Sequence, residues 1–454
     1  MIQRIVLFGA SGDLAARLLM PAVAQIAAGG LLPSGLSILG SAVTDWTPNE
    51  FRDHMAAALD QHASSVAPDV RRTVVEKLDF RPADVTNPVD VKAVIGDAHE
   101  PTLVYLALPT GLLERTLTAL SDADLTANDA VAIEKPFGTD LTSAQRLNEI
   151  LRSQIPKPTI FRIDHFLSNE LVRRILALRF ANRVFEPLLC AQHVERVDIS
   201  YLESLTLEGR ASYYDGAGAL KDMVQNHLLE TLSLVVMEQP ARLDDASFRG
   251  NRVEALRAVA TPTPESIRNG TIRARYAAGT IGTRSVPAYV EEPGVDPSRN
   301  TETYAAIDLE VPSSRWYGTR FTLRSGKALA RDSAEIAFHF KKVRGYLSNV
   351  SIDVAPNVLR IGLMKPYVRL ETTINGPEFT PLNQTLEMLA EEPRRKAYAN
   401  LIVEMLNNRP LLFIRGDEAE EAWRVIDPIA TAWANDEVPM QTYPAGGEAL
   451  IMSR

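Results

Sequence analysis

The chain has 454 residues, which is long for a single hydrophobic core and suited to two domains. Hydrophobic residues make up 46% and charged residues 23%, as in ordinary globular proteins, and the net charge of -9 leaves no surplus of Lys and Arg for a nucleic-acid partner. Cys190 is the only cysteine, which excludes an intrachain disulfide and a cysteine-rich zinc site.

Nothing in the sequence predicts a membrane partner. The longest apolar candidate for a span, residues 18–32, is broken by Pro21 and by two glycines. The N-terminal stretch MIQRIVLFGA lacks the basic region, long apolar run and cleavage site of a signal peptide. We therefore expect a cytoplasmic protein.

The N-terminal part of the chain alternates between predicted strands and predicted helices. Apolar runs typical of strands in a parallel sheet occur at 5–8, 36–43, 78–80, 102–109 and 129–138. Helical stretches separate them, for example around 48–65. This alternation predicts a Rossmann-like, doubly wound α/β domain over residues 1–165.

Beyond residue 180 the pattern changes to alternating polar and apolar residues, which is typical of antiparallel strands. The segments that show it are 194–203, 304–312, 334–343, 357–364 and 367–374. Helices are predicted at 218–238, 393–408 and 417–436. We therefore predict that residues 166–454 form an α+β domain with a large antiparallel sheet.

The segment GASGDLA (9–15) follows the first predicted strand and is a candidate phosphate-binding turn. Gly9 permits a tight turn, and Gly12 lets the backbone approach a pyrophosphate at the N-terminus of the next helix. Because the motif departs from the usual G-x-G-x-x-G pattern, an ordinary glycine turn is the alternative interpretation.

The second predicted strand ends in GSAVTDWT (40–47), where a dinucleotide-binding fold contacts the adenosine ribose. An acidic residue there favours NAD and a basic residue favours NADP. This segment has the neutral Val43 and Thr44 and the acidic Asp45. Asp45 is either a ribose ligand or the N-cap of the following helix.

Two further segments indicate acid–base chemistry. FRIDHFLSNE (161–170) contains Asp164, and KDMVQNHLLETLSL (221–234) contains His227 just before an apolar helical run. A histidine can remove a proton from a sugar hydroxyl at neutral pH while a carboxylate orients it. From spacing alone, the alternative that Asp164 and His227 are unrelated capping residues is the stronger one.

Taken together, these motifs resemble the glucose-6-phosphate dehydrogenase family. The resemblance covers nearly the whole chain and is carried by GASGDLA (9–15), IEKPFG (133–138), FRIDHFLSNE (161–170), LRFANRVFEPL (178–188), LEGRASYYDGAGALKDMVQNHLL (207–229), LRSGKAL (323–329) and AYANLIVEMLNNRPLLFIRGDEAEEAWRVIDPI (397–429). It implies an enzyme that transfers hydride from C1 of a sugar to a nicotinamide coenzyme.

The resemblance also implies a role for each matching residue. His227 corresponds to the general base that acts on the anomeric hydroxyl, Asp164 to its carboxylate partner, and Pro136 to a cis proline. The implied substrate-binding residues are Lys135, His165, Asn169, Glu208, Asp222, Lys327 and Lys365. The implied coenzyme-binding residues are Gly9, Ser11, Gly12, Asp13, Leu14, Val43, Thr44, Leu108, Pro109, Glu134 and Lys135.

Several departures from the family pattern fall where the family binds the substrate phosphate. Phe166 and Asn169 replace the tyrosine and lysine of RIDHYLGKE, and Leu18 replaces the last lysine of GDLAKRK. A buried dianion needs several charge-assisted hydrogen-bond donors, and His165 alone provides too few.

Further along the chain, Asp332, next to Arg331, stands near a family arginine. The candidates for rebuilding the anion site are Arg173, Arg174 and Lys365.

The coenzyme site departs from the family pattern as well. NADP-using members carry an arginine in a GxAR segment, and Val43 stands at that position. We therefore expect NAD or NADP to be used, with NAD preferred.

We predict NAD(P)-dependent oxidation of an aldopyranose at C1 to the 1,5-lactone. The substrate is either glucose 6-phosphate or a glucose-like sugar that is unphosphorylated or altered at C6, and the losses on the phosphate side favour the second. The alternative from another class is a catalytically silent homologue that acts as a regulator or scaffold. No metal site is predicted, because no cluster of His, Asp and Glu has ligand spacing. The resemblance implies a homodimer or homotetramer formed through the large sheet.

Overall fold

The structure is a computed structural model that describes residues 1–96, 100–209, 211–343, 354–377 and 380–452. It contains two compact units. Unit 1 comprises Met1–Asn169, Ala241–Gly250 and Pro393–Glu420, and unit 2 comprises Glu170–Pro240, Asn251–Glu392 and Glu421–Arg454.

The first unit is therefore larger than the continuous domain that we predicted over residues 1–165. It extends to Asn169 and takes in two segments from later in the chain. A physical reason is visible in the core of unit 1, where the apolar side chains of Leu401, Met405 and Phe413 are buried. These residues complete a hydrophobic core that residues 1–169 begin.

Unit 1 contains a sheet of six strands, counted over the residues that the structure describes. The strands are β1 (Arg4–Phe8), β2 (Ser37–Ser41), β3 (Leu78–Phe80), β4 (Thr102–Leu106), β5 (Ala130–Glu134) and β6 (Thr159–Ile163). Their order is β3-β2-β1-β4-β5-β6, and every neighbouring pair is parallel. The predicted doubly wound parallel sheet is confirmed.

The helices alternate with these strands in unit 1 and flank the sheet segments in unit 2. In chain order they are α1 (Met20–Ala28), α2 (Pro48–His62), α3 (Pro68–Glu76), α4 (Pro88–Ile95), α5 (Thr110–Leu120), α6 (Leu141–Gln154), α7 (His165–Ser168), α8 (Glu170–Phe180), α9 (Ala211–Ala219), α10 (Leu229–Val236), α11 (Asp245–Arg257), α12 (Pro264–Gly270), α13 (Ala397–Leu406) and α14 (Gly416–Ala434). Two π-helical turns, Ala15–Leu19 and Leu220–Leu228, directly precede α1 and α10.

Unit 2 is built on a sheet of nine strands, again counted over the described part of the chain. The strands are β7 (Val194–Leu202), β8 (Thr271–Ala277), β11 (Tyr304–Glu310), β12 (Arg320–Gly326), β13 (Ser333–Phe340), β14 (Val358–Gly362), β15 (Tyr367–Asn375), β16 (Pro381–Leu389) and β17 (Met440–Pro444), while β9 (Gly279–Ile281) and β10 (Arg284–Val286) form a separate ribbon.

The strand order in the large sheet is β16-β15-β14-β13-β7-β12-β11-β8-β17. Most neighbouring pairs are antiparallel, as predicted, but β7 pairs with β12 and β8 with β17 in parallel. The sheet is therefore mixed, because the long connections between these partners return the chain in the same direction.

Within the described ranges, none of the helices is both long enough and apolar enough to cross a membrane.

Candidate functional site

The glycine turn after β1 is closely packed against the end of β4. Gly9 has a φ of +78°, and a Cβ atom built there would lie 2.2 Å from the Ala107 carbonyl oxygen. The Gly12 N–H donates to the Gly9 carbonyl at 3.0 Å, which closes the turn. Only glycine fits at position 9, because of its positive φ and its close approach to the Ala107 backbone.

The end of β2 lies directly beside this turn. The backbone N–H of Gly9 donates to the Ser41 carbonyl at 2.8 Å, and the Thr44 hydroxyl donates to Ser11 Oγ at 3.1 Å. Val43 is 77% exposed, so little of its side chain is packed against the rest of unit 1.

The N-cap interpretation of Asp45 is wrong. The N-cap of α2 is Thr47, which forms a capping box with Glu50. Asp45 is exposed in the loop that precedes this cap.

The remaining residues of the glycine motif differ in their surroundings. Asp13 is exposed and pairs with Arg17 at 3.7 Å. Leu14 packs against the core of unit 1. At the end of β4, Leu108 contributes to the packing around Gly9, and Pro109 immediately precedes α5.

Glu134 is the last residue of β5 and belongs to the IEKPFG motif. Its Oε1 atom accepts hydrogen bonds from the hydroxyls of Tyr105 at 2.5 Å and Tyr398 at 3.3 Å. Burial raises the pKa of Glu134 to about 7, although both tyrosine hydroxyls and the charge of Lys135 oppose the rise. The following Lys135–Pro136 peptide bond is cis, which confirms what the resemblance implied.

Asp164 and His165 lie at the end of β6. Asp164 is fully buried, and its carboxylate accepts the Phe166 backbone N–H at 2.8 Å, so it caps α7. The His165 ring stacks on Tyr398 with the ring centroids 5.8 Å apart. Asn169 ends α7, where its N–H donates to the Phe166 carbonyl at 3.0 Å.

The parallel sheet explains why the predicted coenzyme residues, Asp164 and His165 lie at one edge of unit 1. The carboxyl ends of β1, β2, β4, β5 and β6 lie along one edge of the sheet, and the coenzyme residues, Lys135, Asp164 and His165 all follow those ends. In folds of this type, ligands bind at the carboxyl edge.

In unit 2, His227 lies in the π-helical turn Leu220–Leu228 and is 2% exposed. The turn also carries Asp222, whose Oδ1 accepts the Tyr213 hydroxyl at 3.2 Å. In an α-helix, residues five positions apart point about 140° away from each other. The wider π-helical turn, with its i→i+5 bonding, brings two such residues closer to one face. His227 is thus an interior residue of a helical turn and not a cap.

Lys327 lies just after β12 and is almost completely buried. Its ammonium group donates to Glu203 Oε2 at 2.8 Å and lies 5.4 Å from the ring centre of Tyr214. A buried cation with one carboxylate and one aromatic face is well held in place for binding a hydroxyl or an anion.

Glu208 and Lys365 lie nearer the surface of unit 2. Glu208 has a positive φ of 47° and pairs with Arg284 of β10 at 3.2 Å. Lys365 is exposed and, with Arg331 and Arg360, lines a cavity of about 480 Å³.

Asp332, one of the departures, and Arg174, a candidate for rebuilding the anion site, both have partners elsewhere in unit 2. The Asp332 carboxylate accepts the backbone N–H and the hydroxyl of Ser204 at 2.7 and 2.8 Å. The Arg174 guanidinium donates to the Glu391 carbonyl. Asp332 thus has a structural role, and part of the Arg174 guanidinium is occupied by a hydrogen bond to the backbone.

Sequence reasoning missed two residues that support Glu134 and His165: Tyr105 and Tyr398. Tyr105 did offer a signal, because a tyrosine inside an apolar strand needs a hydrogen-bond partner for its hydroxyl. Tyr398 offered none, since its contacts depend on segments far apart in the chain.

A tightly packed glycine turn on a parallel sheet of this strand order is typical of a dinucleotide-binding domain. The family model "Glucose-6-phosphate dehydrogenase, NAD binding domain" matches residues 6–174, and the model "Glucose-6-phosphate dehydrogenase, C-terminal domain" matches residues 176–449. The chain belongs to the glucose-6-phosphate dehydrogenase family and is an NAD(P)-dependent sugar 1-dehydrogenase.

Relatives and solved structures agree with this assignment. Glucose-6-phosphate 1-dehydrogenase of Treponema pallidum is 35% identical, over 97% of this chain and 91% of the relative. The enzyme of the same name from Mycolicibacterium smegmatis is 36% identical, over 98% of this chain and 94% of the relative. The crystal structure of glucose-6-phosphate 1-dehydrogenase from Mycobacterium avium has a TM-score of 0.87 at 28% identity, covering 98% of this chain and 94% of that one.

Proposed function

We propose that the chain oxidises glucose 6-phosphate at C1 to the 1,5-lactone, with His227 as the general base and Asp164 as its carboxylate partner. The observation that carries this proposal is the burial of His227 in a π-helical turn shared with Asp222. A buried imidazole in a helical turn is suited to remove the proton of the anomeric hydroxyl. Relatives that span the whole chain carry the name of this reaction.

Each of the proposed site residues has its own role in the reaction. His227 takes the hydroxyl proton, and Asp164 stabilises the imidazolium that results. Lys135, Asp222 and Lys327 orient the sugar through its hydroxyl groups, while Glu208 and His165 complete the substrate contacts. NAD(P)⁺, when bound, accepts the hydride that leaves C1.

We further propose that NAD is preferred over NADP. Val43 at the end of β2 is exposed and offers no charge to a 2′-phosphate. The guanidinium of Arg81, which follows β3, donates to the Ala93 carbonyl of α4 at 2.5 Å. Gly9, Ser11, Gly12, Asp13, Leu14, Thr44, Leu108, Pro109, Glu134 and Lys135 are the proposed contacts for the rest of the coenzyme.

A second candidate substrate is a glucose-like sugar with no phosphate or with another group at C6. Asn169 supports it, because this neutral side chain ends α7 at the position of a lysine in the family motif. Lys365 and Arg331 of its cavity are the proposed alternative anion ligands, since Arg360 there is already paired with Glu335 and Glu371.

We also propose a homodimer or homotetramer formed through the large sheet. β16 is an edge strand, and exposed apolar side chains lie along it and the neighbouring β15: Ile374, Leu382, Leu386, Met388 and Leu389. Such a row on an open edge is a typical protein–protein contact surface.

The test is a matrix of initial rates with glucose 6-phosphate, glucose and a C6-modified glucose, each with NAD and NADP. We expect the highest kcat/KM for glucose 6-phosphate with NAD. In His227→Asn, turnover should fall by about 100- to 10,000-fold while coenzyme binding stays unchanged. His54→Asn, a change in an exposed histidine of α2, is the control.

Unchanged turnover in His227→Asn would show that His227 is not the general base. A wild-type chain that binds coenzyme but turns over none of the sugars would instead support the silent homologue.

A further inference from the structure

The π-helical turn that carries His227 begins against a carboxylate from a distant part of unit 2. Glu302 lies in the loop before β11, and its Oε1 accepts the Leu220 backbone N–H at 2.9 Å. Its backbone carbonyl accepts the Ala219 N–H at 3.2 Å. The first N–H groups of a helix lack partners within the helix. Here no local side chain caps the turn, so Glu302 provides the acceptors.

Gly218 leaves the space that this carboxylate occupies. Its φ is +68°, and a Cβ atom at this position would lie 2.3 Å from Glu302 Oε1. Glycine is therefore needed twice, for the left-handed backbone and for the room it leaves beside the carboxylate.

The residues on either side of Glu302 are also anchored. The Thr301 hydroxyl donates to the Asp215 carbonyl of α9 at 2.7 Å. The Thr303 carbonyl accepts the Lys327 backbone N–H at 3.0 Å. The segment Thr301–Thr303 therefore links α9, the start of the π-helical turn and the backbone of Lys327.

We propose that Glu302 is a positioning residue for the reaction: it caps the π-helical turn Leu220–Leu228 and so sets the places of Asp222 and His227. The proposal rests on the proposed function, because it assumes that His227 takes the proton. Glu302 contacts the backbone of the turn and acts on the reaction through Asp222 and His227.

The charge of Glu302 adds a dependence on pH. Burial raises the pKa of this carboxyl group to about 7, while the N–H groups of Leu220 and Glu302 and the charges of Arg273 and Lys221 oppose the rise. The ionisable groups that face Glu302 are Tyr214 of α9, Lys221 of the turn, Arg273 of β8 and Tyr289. An ionised cap interacts favourably with a helix N-terminus. The cap therefore strengthens as the pH rises through 7 and weakens as it falls.

The experiment compares Glu302→Leu, which removes the acceptor, with Glu302→Gln, which keeps an acceptor without charge. In Glu302→Leu we expect kcat to fall by about 10- to 100-fold, because small misplacements of catalytic groups cost that much. Coenzyme binding, measured by tryptophan fluorescence, should stay within about 2-fold of wild type. Glu302→Gln corresponds to the protonated cap, so we expect it to have at every pH about the kcat that the wild type has below pH 7, above that of Glu302→Leu, and to lose one ionisation from the acid limb of the kcat–pH profile. Glu310→Leu, at an exposed position of β11, is the control.

A wild-type kcat in Glu302→Leu, or an unchanged acid limb in Glu302→Gln, overturns the proposal. If Glu302→Leu does not fold, Gly218→Ala replaces it, since the added methyl group displaces the same carboxylate. A wild-type kcat in Gly218→Ala then overturns the proposal, and a loss supports it.

The two proposals fail separately. Retained turnover in His227→Asn would show that His227 is not the base, and Glu302 would then have no base to position. Lost turnover in His227→Asn with full kcat in Glu302→Leu removes only the role of Glu302.

Discussion

The Tyr105 hydroxyl donates to the Glu134 carboxylate across 2.5 Å, within the edge of the sheet that carries the coenzyme residues. Tyr398 donates to the same oxygen and stacks on His165. The carboxyl group at the end of β5 is thus part of a small polar network that reaches the end of β6. The protonation of Glu134 therefore bears on stability and on the placing of Lys135 next to it.

The first prediction concerns the pH dependence of stability. The pKa of Glu134 is about 7 in the folded chain against an ordinary value of 4.5. Because the folded value is the higher one, its contribution to stability is full below pH 4.5 and is lost as the pH rises through 7. Glu134→Gln should remove roughly 2 to 4 kcal/mol of the decline in the free energy of unfolding over this window. Urea unfolding at a series of pH values measures it.

Exposed Glu310→Gln serves as the control, since its carboxylate lies in water. Equal pH dependence in Glu134→Gln and the wild-type chain would show that Glu134 titrates at its ordinary pKa.

The second prediction concerns the glycine turn. Gly9→Ala places a methyl group 2.2 Å from the Ala107 carbonyl oxygen, in a left-handed backbone conformation. We expect a loss of at least about 2 kcal/mol of stability and weaker coenzyme binding. Thermal unfolding and coenzyme titration measure the two effects.

Gly35→Ala is the matched control, because a Cβ atom there meets open space and the backbone is not left-handed. If Gly9→Ala changes stability and coenzyme binding no more than Gly35→Ala does, the turn is not closely packed against β4.

The third prediction concerns coenzyme choice. Val43→Arg should raise the ratio of kcat/KM for NADP over that for NAD by about 10-fold, since a charge-assisted bond to phosphate contributes 1.5 kcal/mol or more. Val43 is 77% exposed, so the longer side chain meets no steric obstacle. Val89→Arg, at a position 74% exposed and outside the coenzyme residues, controls for added charge. An unaltered ratio would mean that the 2′-phosphate lies elsewhere.

The fourth prediction concerns the substrate anion. Asn169→Lys should lower KM for glucose 6-phosphate by about 10-fold and leave KM for glucose unchanged, because it adds a charged donor at the end of α7. Asn128→Lys, in an exposed loop of unit 1, tests for a general effect of charge. If KM for glucose 6-phosphate stays the same, the pocket is built for another group at C6.

Local patterns predicted much of unit 1 and less of unit 2. The short run LDF forms β3 over the predicted residues, and the apolar run at 102–109 contains β4, because buried parallel strands leave a strong local signal. The N-cap prediction for Asp45 failed because the Thr47–Glu50 capping box competes for the same helix start.

Long-range contacts account for what local patterns could not show. The parallel pairing of β7 with β12 depends on strands far apart in the chain, and so does the cap that Glu302 provides. The π-helical turn at Leu220–Leu228 has no periodicity that separates it from an α-helix. The resemblance to a family predicts catalytic roles for His227 and Asp164, whereas spacing alone predicts unrelated caps; Asp164 does cap α7, and His227 lies inside a helical turn.

The discontinuous make-up of unit 1 bears on how the chain is synthesised. The apolar side chains of Leu401, Met405 and Phe413 belong to its core, yet they leave the ribosome after most of unit 2. Until then the emerging sheet of residues 1–169 has an open apolar face, which is a place for a chaperone to bind or for aggregation to start. A fragment that ends before Pro393 should therefore be poorly soluble, even though it contains the entire six-stranded sheet.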